Sequence, residues 1–221
     1  MTHRFSHLMF TPAVWAVQEA LGSRRAYERL DAPEADSRDT LGEAERAFIA
    51  ARDSFYLASV SETGWPYVQH RGGPPGFLKV LDDKTPGPAR TEIGFADFRG
   101  NRQYVSVGNL GGNDRVSLIL MDYPHQRRLK LLGHARTVSL QDDPKTIARL
   151  EDAAYAAKVE RGIVIALEAF DWNCPQHITP RFTQAEIAQA AAPLWQRLHA
   201  AETERDTLRA ELALLRGAPK G

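Results

Sequence analysis

Cysteine is nearly absent from this chain: Cys174 stands alone among 221 residues. A lone thiol excludes an intrachain disulfide, and with it a disulfide-stapled secreted scaffold, so a reducing cytoplasm is the default compartment. Long hydrophobic runs are missing too, since none approaches the roughly 20 residues that span a bilayer. The short apolar patch near the N-terminus is interrupted by Gln18 and Glu19. No small-residue cleavage site follows it, so no signal peptide is read. Neither sign of charge dominates: Lys plus Arg is 28 and Asp plus Glu is 28. That balance argues against bulk nucleic-acid binding, which needs a basic excess, and leaves room for a local basic pocket. There is no G-x-G-x-x-G on a strand-to-helix turn and no Walker A motif, so neither a Rossmann nor a P-loop nucleotide site is indicated. Gly72-Gly73-Pro74-Pro75-Gly76 is glycine-rich but lacks both the Lys-Ser/Thr and the helix.

The length suits one medium domain with a proper core plus an appendage. Thr11-Pro12 reads as a helix start, Val14, Val17, Gln18 and Leu21 follow at helical spacing, and Gly22 is a natural stop. The polar stretch Asp31–Asp39 reads as a loop, and Leu41–Arg52 as a second helix with Leu41, Ala44, Phe48 and Ile49 on one face. The texture then turns to β. Short apolar or alternating runs begin at Ser54, Trp65, Gly76, Thr91, Arg115, Arg127 and Ile163, separated by turn chemistry. Asp82–Arg90 reads as a solvated loop, Tyr123–Gln126 as a hairpin connection, and Pro144–Tyr155 as a helix. Six or seven strands joined by tight turns favour an antiparallel barrel over a βαβ sheet.

The residues with chemical reach cluster between Trp65 and Leu132. Arg71, Lys79, Arg99, Asn101, Arg102 and Gln103 alternate there with apolar residues. Cations held on a rigid sheet beside glycines suit a phosphorylated cofactor. Arg99–Asn109 is expected to hold a short helix after an anion-binding turn, where backbone N–H groups and a guanidinium bind a phosphate dianion. A surface ion pair is the plainer reading of Arg102. On the run from Arg127, Arg128 and Lys130 share one face and Leu129 and Leu131 the other. That cationic face either meets an anion or is a solvent-facing edge. Cys174 and His177 have C-x-x-H spacing, but no second pair completes a zinc site.

The order of these features from about Phe48 to Phe182 resembles the FMN-binding split-barrel proteins related to pyridoxamine 5'-phosphate oxidase. WPYVQHRGGPPGFLKVLD, GFADFRGNRQYVSVGN and FDWNCPQHITPRF carry the likeness. The resemblance implies a mainly β fold with flanking helices: an antiparallel FMN-binding split β-barrel. It also implies a homodimer with FMN in two clefts at the subunit interface. By the same resemblance the cofactor is held by Arg71, Lys79, Ala96, Asp97, Asn101, Arg102, Gln103, Trp172 and Arg181. Arg128 and Lys130 stand where the partner subunit reaches it. Gln103 replaces a lysine of the family pattern, which removes a charge and keeps a donor. His177 and His70 are the candidates for an acid or base.

The expected organisation is a helical extension over 1–40, the barrel over 41–182 and a C-terminal helix over 183–221. Thr183 and Glu186 form a capping box. Ile187, Ala191, Leu194, Leu198, Ala201, Arg205, Leu208, Leu212 and Leu215 then step by alternating four and three, a heptad seam with one polar member. The register predicts a self-associating coiled coil that supports higher assembly, with a helix packed on its own barrel as the alternative. Pro193 is expected to split or kink the segment. The charges of AETERDTLRAE read as a solvated face. The functional expectation is an FMN-dependent oxidoreductase acting on a small-molecule substrate or electron donor. The alternative is a non-catalytic flavin-binding, haem-binding or deazaflavin-binding protein.

Overall fold

The computed structural model describes residues 3–32, 37–81, 91–172 and 176–217. The expected loop over 82–90 and the expected C-x-x-H residue Cys174 lie outside the described residues. The chain divides into two compact units, Met1–Ile178 and Thr179–Gly221.

Seven antiparallel strands build the first unit: β1 (Ser54–Val60), β2 (Pro66–Gly72), β3 (Lys79–Leu81), β4 (Glu92–Phe98), β5 (Arg115–Asp122), β6 (Arg127–Val138) and β7 (Val159–Trp172). Their order in the sheet is β2-β1-β5-β6-β7-β4-β3. The antiparallel, mainly β architecture expected from the sequence is present, with helices flanking the sheet. The hydrogen-bonded ladder does not close: β2 and β3 remain its two edges. The sheet curls instead, so that side chains of β2 and β4 meet across the gap.

Period-two alternation decides which side chains fill the curl. Val116, Leu118 and Leu120 of β5 are buried, as are Leu129 and Leu131 of β6, while Arg128 and Lys130 take the opposite face. Phe55 packs against Phe77 and Phe95 at ring separations of 5.5 and 5.2 Å, filling the interior beneath the gap. Burying each such side chain contributes roughly 1.5–3 kcal/mol.

Helix α4 (Glu43–Ala50) closes one end with Phe48 and Ile49, and Leu41 just before it is buried too; Ala44 is exposed. Glu45 accepts the Gly42 N–H at 2.9 Å through one oxygen and the Trp172 indole N–H at 2.7 Å through the other, fixing α4 to the end of β7. Helix α6 (Pro144–Leu150) is capped by Asp143, which accepts the Thr146 N–H at 3.0 Å. Its Ile147 and Leu150 lie over Gly94 and Gly162, where any Cβ would fall 2.7–3.0 Å from their side chains.

The N-terminal segment folds as α1 (Arg4–Met9), α2 (Pro12–Ala20), α3 (Arg24–Tyr27) and a 3₁₀ turn (Glu28–Asp31). Arg4 forms an ion pair with Glu168 and so ties α1 to β7. Helix α2 starts and stops where Thr11-Pro12 and Gly22 predict, but its expected apolar face is not buried. Gln18 is its one buried residue, and Val17 and Leu21 are exposed. Other boundaries shift as well. The helix expected over Pro144–Tyr155 ends at Leu150, its last buried residue, and Asp152 then takes the Ala154 N–H at 2.9 Å into a turn. Strand β7 outruns the expected Ile163–Phe170 at both ends, because its polar ends are held by pairing rather than by apolar composition.

The second unit is one helix, α7 (Gln184–Gly217). The predicted capping box forms: Glu186 accepts the Thr183 N–H at 2.7 Å, and Thr183 accepts the Glu186 N–H at 3.2 Å. Pro193 does not split it. A proline removes one N–H donor, and the helix resumes on its far side. Among the described residues no helix is long and apolar enough to cross a membrane, and no group of three metal-ligating side chains assembles.

Candidate functional site

The gap between β2 and β4 opens into a cleft. Two adjoining cavities of about 190 and 180 Å³ share walls of Gln69, Arg71, Asp97, Phe98 and Gly100. The larger continues to Asn101, Arg102, Tyr104 and Ser106, and the smaller to His70, Gly72, Phe77 and Ala96.

Local sequence positions each wall. On β4, alternation turns Asp97 toward the cleft, directly across from Arg161 of β7. The register then slips between Asp97 and Phe98, leaving Glu160 unopposed. That bulge brings the consecutive residues Glu160 and Arg161 into one charge cluster, a re-aiming that bulges produce beside functional sites. After β4 the chain makes a polar turn. Arg102 and Tyr104 adopt left-handed backbone, at φ 61° and 53°, and the Gln103 N–H donates to Asn101 Oδ1 at 3.2 Å. Helix α5 (Val105–Gly112) follows. Ser106 donates to Gln69 at 3.0 Å and Asn109 to Ser59 at 2.9 Å, which pins α5 to β2 and β1.

The charges form a connected network. Arg71 Nη1 donates to Asp97 Oδ1 at 2.6 Å, and Arg161 Nε lies 3.5 Å from Asp97 Oδ2. Arg161 also donates to Glu160 at 3.2 Å and covers the Tyr104 ring at 4.9 Å. Tyr104 donates to Glu160 at 3.4 Å and accepts from Arg102 Nε at 3.3 Å. Arg99 Nε sits 3.7 Å from Glu160. Burial pushes the Asp97 carboxyl above its usual range, with Arg71 and Arg161 pulling the other way.

Four guanidiniums therefore stand against two carboxylates, an excess of two positive charges, which is what a phosphate dianion requires. A second observation fits the same ligand. The Nε of Arg71 is buried with no hydrogen bond among the described residues, and the buried Nε of Arg161 has only its 3.5 Å ion-pair contact with Asp97. Buried donors are nearly always satisfied, so an acceptor from a ligand is the natural complement.

Of the site residues expected from the sequence, His70, Arg71, Ala96, Asp97, Asn101 and Arg102 come together around this cleft. The others stand elsewhere. Gln103 neighbours the wall, exposed, and is bonded to Asn101. Lys79, on β3, donates to the Glu151 carbonyl at 3.1 Å. Arg128 and Lys130 lie on β6, where Lys130 is 3.9 Å from Asp171 and 5.5 Å from the Phe5 ring. Trp172 is engaged with Glu45, with Phe48 edge-on at 4.8 Å, and under Arg127 at 4.5 Å. His177 is an exposed turn residue with φ 64°, and Arg181 belongs to the second unit, exposed ahead of α7.

Sequence reasoning missed Arg161, Tyr104, Glu160 and Gln69. Gln69 was legible, two residues before Arg71 on the same face of β2. Glu160 and Arg161 precede the apolar run that marks the strand, and only the bulge brings them together.

No curated protein sequence matches this chain. Among solved structures, an FMN-binding protein from Syntrophomonas wolfei subsp. wolfei is similar over 71% of this chain and 97% of its own, at 13% identity and TM-score 0.42. A protein related to general stress protein 26, of the pyridoxinephosphate oxidase family, from Clostridium acetobutylicum is similar over 65% and 94%, at 13% identity and TM-score 0.41. An F420 reductase is similar over 59% and 98%, at 20% identity and TM-score 0.39. The family model described as pyridoxamine 5'-phosphate oxidase matches residues 41–173, more than half of the sequence and all seven strands described above. The chain belongs to the pyridoxamine 5'-phosphate oxidase family.

Proposed function

We propose that this protein is an FMN-dependent oxidoreductase whose β2–β4 cleft holds the flavin phosphate. The observation that carries the reading is the cationic excess beside the buried Arg71 Nε, which has no hydrogen bond among the described residues. Family membership supports the cofactor class. Arg102 and Asn101 supply exposed donors at the mouth, and Arg71 supplies a donor from the wall. Asp97 holds Arg71 in place, and its own charge keeps the cluster from repelling itself when no anion is bound. When bound, FMN supplies the redox chemistry by accepting or donating an electron pair. The chain's part is to bind, orient and set the local field. His70 lies on the cleft wall, edge-on to Tyr56 at 5.5 Å, and is the nearest candidate to move a proton.

The reading extends to a homodimer through the sheet unit. Tyr56 and Val68 are exposed on one face of β1 and β2, with Arg128 and Lys130 on the corresponding face of β6. Such a face suits a second copy, whose Arg128 and Lys130 would reach toward the cofactor.

The test compares FMN with riboflavin by fluorescence titration. FMN is expected to bind far more tightly. In Arg102→Ala the FMN affinity falls roughly 10- to 100-fold, one charge-assisted contact, with riboflavin unaffected and the fold intact. Equal affinity for the two ligands would overturn the phosphate assignment. Bleaching of the bound flavin by a reduced nicotinamide, with reoxidation by oxygen, separates an enzyme from a flavin carrier. A haem spectrum in place of flavin bands would overturn the cofactor.

A further inference from the structure

The C-terminal helix carries a surface that the flavin site does not explain. α7 runs unbroken for 34 residues, about 50 Å at helical rise. Leu194, Leu198, Leu208, Leu212 and Leu215 are exposed along it and fall on one heptad seam. A single helix has nothing within its own unit on which to bury that seam, and isolated helices of this kind are marginal in water. Pro193 sits outside the seam, so its missing donor does not disturb it.

We propose that α7 pairs with the α7 of a second copy of this chain as a parallel, in-register, two-stranded coiled coil. The charges beside the seam decide both partner and direction. With the leucines at the a and d positions, Arg197, Glu204 and Glu211 occupy g, and Glu202, Arg209 and Arg216 occupy e. In a parallel pair each g residue faces the e residue five positions further along the other helix. The three facing pairs are Arg197 with Glu202, Glu204 with Arg209, and Glu211 with Arg216, and all are opposite in sign. An antiparallel pair sets g against g. One register with its leucine layers filled brings Glu204 onto itself while pairing Arg197 with Glu211, and another brings Glu204 onto Glu211, so each contains at least one like-charge contact. The parallel, in-register pair is the arrangement in which each of the three facing g–e pairs is opposite in sign.

Arg205 is the seam's polar member, at an a position. Any slipped register would set it against a leucine, so it fixes the register at some loss of stability. In the single chain its guanidinium donates to Asp206 at 2.8 Å, and in the pair Glu204 of the other helix lies beside it. Because α7 follows the sheet unit in each chain, parallel pairing brings two sheet units to the same end of the coil.

The test uses the full chain with Leu208→Cys, oxidised mildly, with the linked peptides identified by mass. A disulfide between residue 208 of one chain and residue 208 of another is expected, because only the parallel in-register pair brings these d positions together. Its absence overturns the proposal. Adding Glu204→Arg and Glu211→Arg makes two of the three facing pairs repulsive and is expected to weaken cross-linking about tenfold or more. Adding Arg209→Glu and Arg216→Glu to that chain restores attraction and is expected to restore the link. Cross-linking that ignores both sets of charge changes would equally overturn the charge-directed pairing.

Discussion

Arg71 and Asp97 stand on strands separated by five places in the sheet order, yet their side chains meet at 2.6 Å. This ion pair spans the gap that backbone hydrogen bonding leaves open. It is mostly buried and flanked by Arg161, so it is both a brace for the curled sheet and the rear wall of the cleft.

The two roles can be separated. Arg71→Met leaves the Asp97 carboxylate buried with one cation fewer, and a loss of about 3 kcal/mol is expected in urea unfolding. The double variant Arg71→Met with Asp97→Leu removes both charges and is expected to regain most of that stability. FMN titration of the double variant should still show weakened binding if Arg71 donates to the phosphate as proposed. Recovery of binding along with stability would mean that the pair serves the fold alone.

Asp97 and Asp122 should give opposite pH signatures. At Asp122 burial resists ionisation, but the His125 side chain and backbone and Arg52 outweigh it, and the pKa is lowered. Its stabilising contribution is present above the usual carboxylate value of 3.8 and is lost as pH falls through the lowered folded value. At Asp97 burial raises the pKa, so the folded state holds the proton more firmly. Stability from that group falls as pH rises from 3.8 through the raised value. Unfolding midpoints followed against pH should flatten below 3.8 in Asp122→Asn and above it in Asp97→Asn.

Glu45 serves two partners at once, the Gly42 N–H and the Trp172 indole. Glu45→Ala is expected to remove about 2 kcal/mol, more than a helix cap alone supplies. Glu45→Gln keeps one acceptor oxygen in place of two, can satisfy only one of the two donors, and should lose about half of that. Chemical denaturation followed by tryptophan fluorescence measures both.

Gly162 is required by packing rather than by backbone angle. A Cβ there would meet Leu150 at 2.7 Å and Ile147 at 3.0 Å. Gly162→Val should push α6 off the sheet and lower stability by about 1–3 kcal/mol. Shortening the neighbour with Leu150→Ala in the same chain should recover part of the loss from the valine. An additive double variant would show that the two residues do not share that space.

What the sequence determined by itself is the local periodicity. The two-residue alternation of Val116, Leu118 and Leu120, and of Leu129 and Leu131, specifies strands and their buried faces, because one face of a sheet must leave water. Thr183 with Glu186 marks a helix start because the orphan donors there are satisfied within a few residues, and Thr11 with Pro12 marks another because proline at the first turn has no N–H to satisfy. The cleft-lining residues Asn101 and Arg102 were legible as neighbours in one turn. Tertiary structure decided what depends on distance in space. Val17 and Leu21 lie at core spacing and are nonetheless exposed, since nothing among the described residues packs over them. Trp172, which the family resemblance alone assigns to the cofactor, donates its indole N–H to Glu45 from 127 positions away. Glu160 joins Arg161 in the cleft network because β7 carries an extra residue at the step between Asp97 and Phe98, and Asp97 meets Arg71 because the sheet curls. Curl and bulge are set by the summed packing of seven strands, a property that no short stretch of sequence holds.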